Sequence, residues 1–300
     1  MPRRNTPYRG RFAPSPTGPL HLGSLIAALA SYLDARHQGG QWLVRMEDLD
    51  PPREEPGAAD SILYSLRCHG LLWDEDVLYQ STRSSAYDAA LEVLTQSGSL
   101  FSCTCTRAML GPGGACRGEC RTRQQHISGA RALRIAVPPD CVIDFTDRLQ
   151  GVRRTALGDS LSDFALRRRD GLYAYQLAVT VDDAEQGITH VVRGSDLLDS
   201  TPRQVFLQRQ LGYPSPRYCH LPVITTDQGQ KFSKQNHAPA LHNEAATDNL
   251  RYALRFLHQR EPPANLTRVR SLLDYAIEHW QLQRVPREMA LNAAHIGLRV

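Results

Sequence analysis

The first fifty residues alternate in a way that leaves few folds open. Arg9 to Ala13 reads as a short strand that runs into the breaker-rich Pro14-Ser15-Pro16-Thr17-Gly18-Pro19 and then His21-Leu22-Gly23-Ser24. Beyond it Leu25, Ala28, Leu29, Tyr32 and Leu33 recur at helical spacing, and Gln41 to Met46 reads as a second strand. Strand, helix and strand within that length make a βαβ unit, whose crossover sets the two strands parallel and lays the helix on one face of the sheet. The expected fold class is therefore α/β, a doubly wound parallel sheet. Its ligand belongs at the carboxyl end of the first strand, where the proline-rich loop and His21 sit.

The rest of the chain divides by pattern. Helices are expected at Gly57 to His69 and Ser81 to Ser97, completing a first half over residues 1–100. The pattern then breaks into a cysteine cluster and the glycine-rich run Gly111 to Gly114, so 101–160 reads as an insertion with short strands near Ala132 to Val137 and Gly151 to Thr155. Alternation resumes over 161–240: helix Tyr175 to Ala184, strand Thr189 to Arg193, helix Ser200 to Leu211, strand Tyr218 to Ile224. Helical spacing at Asn249 to Gln259, Leu266 to Trp280 and Pro286 to Ile296 gives a helical region over 241–300.

Charge and cysteine usage bound the chemistry. A formal net charge of +4 is compatible with a polyanionic partner without demanding one. The most apolar stretch, Leu25 to Leu33, is far shorter than the roughly 18–20 residues of a membrane span, and no apolar segment follows the N-terminal arginines, so the chain reads as cytoplasmic, without membrane attachment. Seven cysteines are an odd number, which argues for thiols or a metal site. Four of them, Cys103, Cys105, Cys116 and Cys120, have the composition of a tetrahedral zinc site; Cys-x-Cys replaces the commoner Cys-x-x-Cys. Cys68, Cys141 and Cys219 are expected to be plain buried thiols. The 35 basic residues include two lysines, Lys231 and Lys234, three positions apart. A chain that otherwise uses arginine keeps a compact, flexible ammonium there, which marks that loop as a candidate site. The run Arg167-Arg168-Arg169 could contact nucleic-acid phosphates or be a solvated face.

His21-Leu22-Gly23-Ser24 together with Lys231-Phe232-Ser233-Lys234-Gln235 resembles the HIGH and KMSKS signatures of class I aminoacyl-tRNA synthetases. Arg11-Phe12-Ala13-Pro14-Ser15-Pro16-Thr17-Gly18, Arg45-Met46-Glu47-Asp48-Leu49-Asp50 and Val192-Arg193-Gly194 are similar to segments of the glutamyl-tRNA synthetases, and the likeness runs over residues 1–240. The chain ends soon after the lysine loop, without the family's anticodon-binding region, and so resembles the short branch that glutamylates the queuosine base of tRNA(Asp) in place of a 3′ ribose. What the resemblance implies is a Rossmann-like fold, activation of L-glutamate by ATP with Mg2+, transfer to tRNA(Asp) carrying queuosine, one structural zinc ion and a monomer. His21, Lys231 and Lys234 would be catalytic, with His21, Gly23, Ser24 and Lys234 at the ATP. Arg11 and Arg193, with the Tyr175 hydroxyl, would hold the side-chain carboxylate of glutamate; Glu47 and Ser15 would take its ammonium, and Phe12, Ala13 and Pro14 belong to the same pocket. Cys116 stands where that branch often carries tyrosine. Two alternatives share these residues: a truncated synthetase charging the 3′ end of tRNA(Glu), and a silent paralogue that binds tRNA without chemistry.

Overall fold

The computed structural model describes residues 7–296 apart from 112–113, 117–118, 123–129, 161–162, 227–228 and 230–239. Strand β1 (Arg9–Phe12), helix α1 (Leu22–His37) and strand β2 (Gln41–Met46) form the expected unit, and β1 and β2 pair in parallel from Arg9 opposite Gln41 to Phe12 opposite Val44. Helix α2 (Ala58–Cys68) leads to a short third parallel strand, β3 (Leu78–Tyr79), and then to α3 (Ser84–Gln96). The antiparallel insertion follows: β4 (Leu100–Cys103), α4 (Glu119–Thr122), β5 (Ala132–Ile135), the hairpin β6 (Val142–Asp147) and β7 (Gly151–Ala156), α5 (Leu157–Ser160) and β8 (Ala165–Arg167). Its sheet has the order β4-β5-β8, so it closes only at Arg167.

Parallel structure resumes with α6 (Tyr175–Glu185), β9 (His190–Gly194), α7 (Thr201–Leu211) and β10 (Arg217–Leu221). The Thr189 N–H donates to the Arg9 carbonyl at 2.9 Å, which sets β9 beside β1 and joins the two parallel pieces edge to edge. The expected strand Tyr218 to Ile224 is broken at Pro222, which has no N–H to donate to a ladder. Its second part, β11 (Val223–Thr225), pairs elsewhere.

Helices α8 (Ala246–Phe256) and α9 (Val269–Glu278) bury Leu250, Leu254 and Leu272 in the same core as Leu25 and Leu29 of α1, so the C-terminal helices complete the first half. The helix expected at Pro286 to Ile296 is absent. That segment instead contains a strand, β12 (Ala290–Asn292), parallel to β11, and a 3-10 turn at Ala293–Ile296. Leu291 and Ala293 are both buried there, and backbone bonds to β11 replace those a helix would supply. One buried carboxylate ties the ends together. Asp34 on α1 accepts from the Tyr8 hydroxyl at 2.5 Å, from Arg148 at 2.5 and 3.0 Å, and from the Trp280 indole at 3.2 Å. Burial would raise its pKa, but Arg148 outweighs that and holds it below the usual range. No helix among the described residues is long and apolar enough to cross a membrane.

His190, stacked on Tyr8 with ring centroids 3.9 Å apart, makes acid stability measurable. Burial, with the Arg148 charge added, pushes its pKa down from 6.5 to about 4. Below pH 6.5 the unfolded chain takes a proton that the native chain refuses. Stability contributed here is therefore whole above 6.5 and falls as pH drops toward 4, by up to roughly 3 kcal/mol. Urea midpoints between pH 7 and 5 should show this decline, and His190→Gln should make it shallower, the remainder coming from His69 and His220, whose pKa values burial also lowers; equal slopes in both chains would exclude His190 as a contributor.

Candidate active site

A cavity of about 550 Å³ opens at the carboxyl ends of β1, β2 and β9, bounded on one side by the start of α1. It is lined by every ATP- and glutamate-site residue expected from the sequence that lies among the described ones: Arg11, Phe12, Ala13, Pro14, Ser15, His21, Gly23, Ser24, Glu47, Tyr175 and Arg193. The Glu47 N–H donates to the Pro14 carbonyl at 2.9 Å, which fastens the proline-rich loop to the end of β2. Lys231 and Lys234 lie outside the described residues. The backbone on the far side of that segment is placed: Ala240 bridges to His21, and the Leu241 N–H donates to the Leu20 carbonyl at 2.9 Å.

His21 caps α1. Its Nδ1 accepts from the Ser24 N–H at 3.3 Å, so a neutral ring carries its proton on Nε2, which faces the Ser24 hydroxyl at 3.1 Å. Gly23 sits in tight space: a Cβ there would meet the His21 ring at 3.1 Å and Ile224 at 3.2 Å, so these side chains would have to give by a few tenths of an ångström. The first turn of this 16-residue helix has no acidic side chain, so its positive dipole end is left for an anion in the cavity.

Arg193 is the decisive cation. Its guanidinium is buried over the Tyr218 ring, and every group bonded to it among the described residues is neutral: His220 Nε2 at 3.0 Å, Thr201 Oγ1 at 2.9 Å, Gln204 Oε1 at 2.8 Å, the Tyr175 hydroxyl at 3.3 Å and the Leu197 carbonyl at 3.4 Å. A buried positive charge held this way, at the wall of a cavity, is built to receive an anion. Arg11 differs. Its Nε and Nη2 lie 3.1 and 3.4 Å from the Asp183 carboxylate, which also takes Arg45 at 2.8 Å. Burial works to raise the Asp183 carboxyl, but the two guanidinium groups win and keep it ionised. Glu47, 3.4 Å from Arg45, is the reverse case: burial holds its carboxyl above the usual range despite Arg45 and Arg11, and a cation beside it would draw it back down.

Sequence reasoning missed Asp183, Arg45, His220 and Asp147. Asp183 had a signal, since Asp182 and Asp183 are acidic residues inside an apolar helix, where a carboxylate must have a partner.

The family model described as "tRNA synthetases class I (E and Q), catalytic domain" matches residues 8–260. The chain belongs to this family. It is 50% identical over 293 residues to the glutamyl-Q tRNA(Asp) synthetase of Pseudomonas fluorescens, covering 97% of each chain, and 53% identical over 295 residues to that of Dechloromonas aromatica, covering 95% of this chain and 97% of the relative. The crystal structure of a glutamate-tRNA synthetase from Elizabethkingia anophelis superposes with a TM-score of 0.80 at 25% identity, over 97% of this chain and 69% of that longer one. The domain shared with this synthetase family is that of a ligase with a mostly parallel central sheet.

Within this synthetase fold the insertion gathers its four cysteines. The sulfurs of Cys103, Cys105, Cys116 and Cys120 all lie within 4.8 Å of one another, with Cys105 3.5 Å from Cys120 and 3.9 Å from Cys116. These distances are far too long for disulfides and close to the roughly 3.8 Å that separates four sulfurs around a zinc ion. The donor set fits such an ion, and Cys116 takes its place in it. Of the other thiols Cys219 is buried, while Cys68 and Cys141 are only half-buried. The arginine run is engaged within the protein: Arg168 pairs with Asp50 and Asp170, Arg167 lies over Tyr173, and Arg169 reaches the Thr104 carbonyl.

Proposed function

We propose that the chain activates L-glutamate with ATP, as its magnesium complex, to glutamyl-adenylate and transfers the glutamyl group to the queuosine base of tRNA(Asp). The observation that carries this reading is the buried Arg193 guanidinium, ringed by neutral groups and facing the cavity, in a chain half-identical to proteins named for that reaction. Arg193 and the Tyr175 hydroxyl take the side-chain carboxylate of glutamate, with Arg11 beside them. Glu47 and Ser15 take the ammonium. The α-carboxylate oxygen attacks the α-phosphorus of ATP, and pyrophosphate leaves with the electrons of the broken P–O bond. No protein nucleophile is needed, only positioning and charge stabilisation. His21 and the α1 N-terminus, with Gly23 giving close approach and Ser24 holding the imidazole, stabilise the phosphates; Lys231 and Lys234 add mobile ammonium groups. One zinc ion held by the four cysteines fastens the insertion and, with four protein ligands, has no open position for catalysis. The chain acts as a cytoplasmic monomer on its tRNA.

The test is incorporation of labelled glutamate, with ATP, into tRNA from cells that do or do not make queuosine. Label confined to the queuosine-containing pool is expected. Equal label in both pools would move the reaction to the 3′ end of tRNA(Glu), and no label in either would leave a silent paralogue.

A further inference from the structure

We propose that Asp147 and His220 are positioning residues that aim Arg193 at the side-chain carboxylate of glutamate while leaving its charge whole, and so set the amino-acid selectivity of the cavity. This rests on the assignment of Arg193 made above. His220 on β10 is the register partner of Arg193 on β9, so the two side chains emerge side by side at the edge of the site. The side chains of Asp147 and His220 are fully buried, and Asp147 Oδ2 lies 2.6 Å from His220 Nδ1. The other oxygen of Asp147 accepts the backbone N–H groups of Leu149, Gln150 and His220 at 3.0, 2.8 and 3.2 Å, which fixes the carboxylate in place.

The tautomer follows from these contacts. An ionised carboxylate only accepts, so the imidazole proton sits on Nδ1 and the Nε2 lone pair faces the Arg193 Nε–H at 3.0 Å. Thr201 and Gln204 hold Nη2. The remaining edge, Nη1, is turned toward Tyr175 and the cavity. A carboxylate bonded directly to Arg193 would orient it equally well but would neutralise it, as Asp183 does for Arg11. With an imidazole interposed the aspartate orients at one remove, and the full guanidinium charge remains for the ligand.

Asp147→Asn tests this at nearly constant shape. Its amide oxygen can keep the three backbone bonds while its NH2 donates to Nδ1, which moves the imidazole proton to Nε2; the Thr201 hydroxyl oxygen, 3.1 Å from Nε2, can take that proton's hydrogen bond, but Arg193 Nε–H loses its acceptor and faces another donor. Removing an orienting partner of this kind costs about 10–100-fold, so KM for glutamate in ATP–pyrophosphate exchange should rise by that factor, with kcat and KM for ATP nearly unchanged. Two further variants guard against a folding artefact. The amide of His220→Gln reaches the place of Nε2 and can accept from Arg193, so its KM should stay near that of the natural chain. The shorter His220→Asn reaches only the place of Nδ1 and should behave like Asp147→Asn. A fall in kcat at constant KM, or equal effects of the Gln and Asn replacements, would overturn the positioning role. An Arg193→Gln control separates the two ideas: unchanged KM in the control sinks the glutamate assignment, whereas a raised KM in the control with Asp147→Asn unaffected sinks only the relay.

Discussion

Arg193→Gln should lower kcat/KM for glutamate in pyrophosphate exchange by about three orders of magnitude and leave KM for ATP almost unchanged. The size follows from the surroundings of this guanidinium. Its bonded neighbours among the described residues are neutral, so a glutamate carboxylate entering the cavity gives up its hydration against a single undivided charge. Deleting one partner of a buried, hydrogen-bonded ion pair costs about 3–5 kcal/mol, chiefly because the survivor is left desolvated and unmatched. At 1.36 kcal/mol per tenfold, that spans about two to nearly four powers of ten. Glutamine at this position keeps bulk and hydrogen-bonding capacity for Thr201 and Gln204, so the variant should fold and the loss should be read in glutamate kinetics. Arg193→Lys should fall nearly as far. One ammonium cannot keep His220, Thr201 and Gln204 satisfied and still present a planar edge to the substrate. Full activity in either variant would remove Arg193 from the glutamate site.

Arg193 could be singled out in the sequence because it stands in a short local motif after a strand, and the same holds for His21 and Gly23 at a strand–loop–helix junction. Local chemistry produces local signals. The groups that make Arg193 effective could not be seen, since Asp147 reaches His220 across 73 positions and Asp183 reaches Arg11 across 172. A histidine in a strand and an aspartate at a strand end have many ordinary explanations until the fold brings them together. The same reason accounts for β12. Three residues carry too little periodicity to declare a strand, and their extended form is set by β11, which lies more than sixty residues away in the chain. Pro222 was visible, but only the sheet shows that the chain changes partners there. The lysine pair is the opposite case: its bias is plain in the composition, and the placed anchor at Ala240, bridged to His21, returns the chain to the cavity.

Loss of the metal should separate the two half-reactions. The insertion around the cysteines has a very small core of its own: Phe101 with Cys103, Cys116 and Cys120, flanked by Cys105, Leu110 and Ala136. Ordering each residue costs about 1–2 kcal/mol of chain entropy, and burying a large apolar side chain returns only about 1.5–3 kcal/mol, so Phe101 and Leu110 cannot hold the segment from Cys103 to Thr122 by themselves. Four thiolates on one zinc ion can, because binding a structural ion is itself folding free energy. Cys105→Ser should therefore drop metal content from one equivalent to under half, make this segment sensitive to protease, and reduce glutamyl transfer to tRNA at least about tenfold. No described residue between 101 and 122 lines the cavity at the start of α1, so glutamate-dependent pyrophosphate exchange should persist within about threefold, the scatter expected of a distant change. Exchange and transfer falling together would mean that the insertion supports the cavity itself. Full transfer at less than half an equivalent of metal would show that the four cysteines need no ion to hold the insertion in shape.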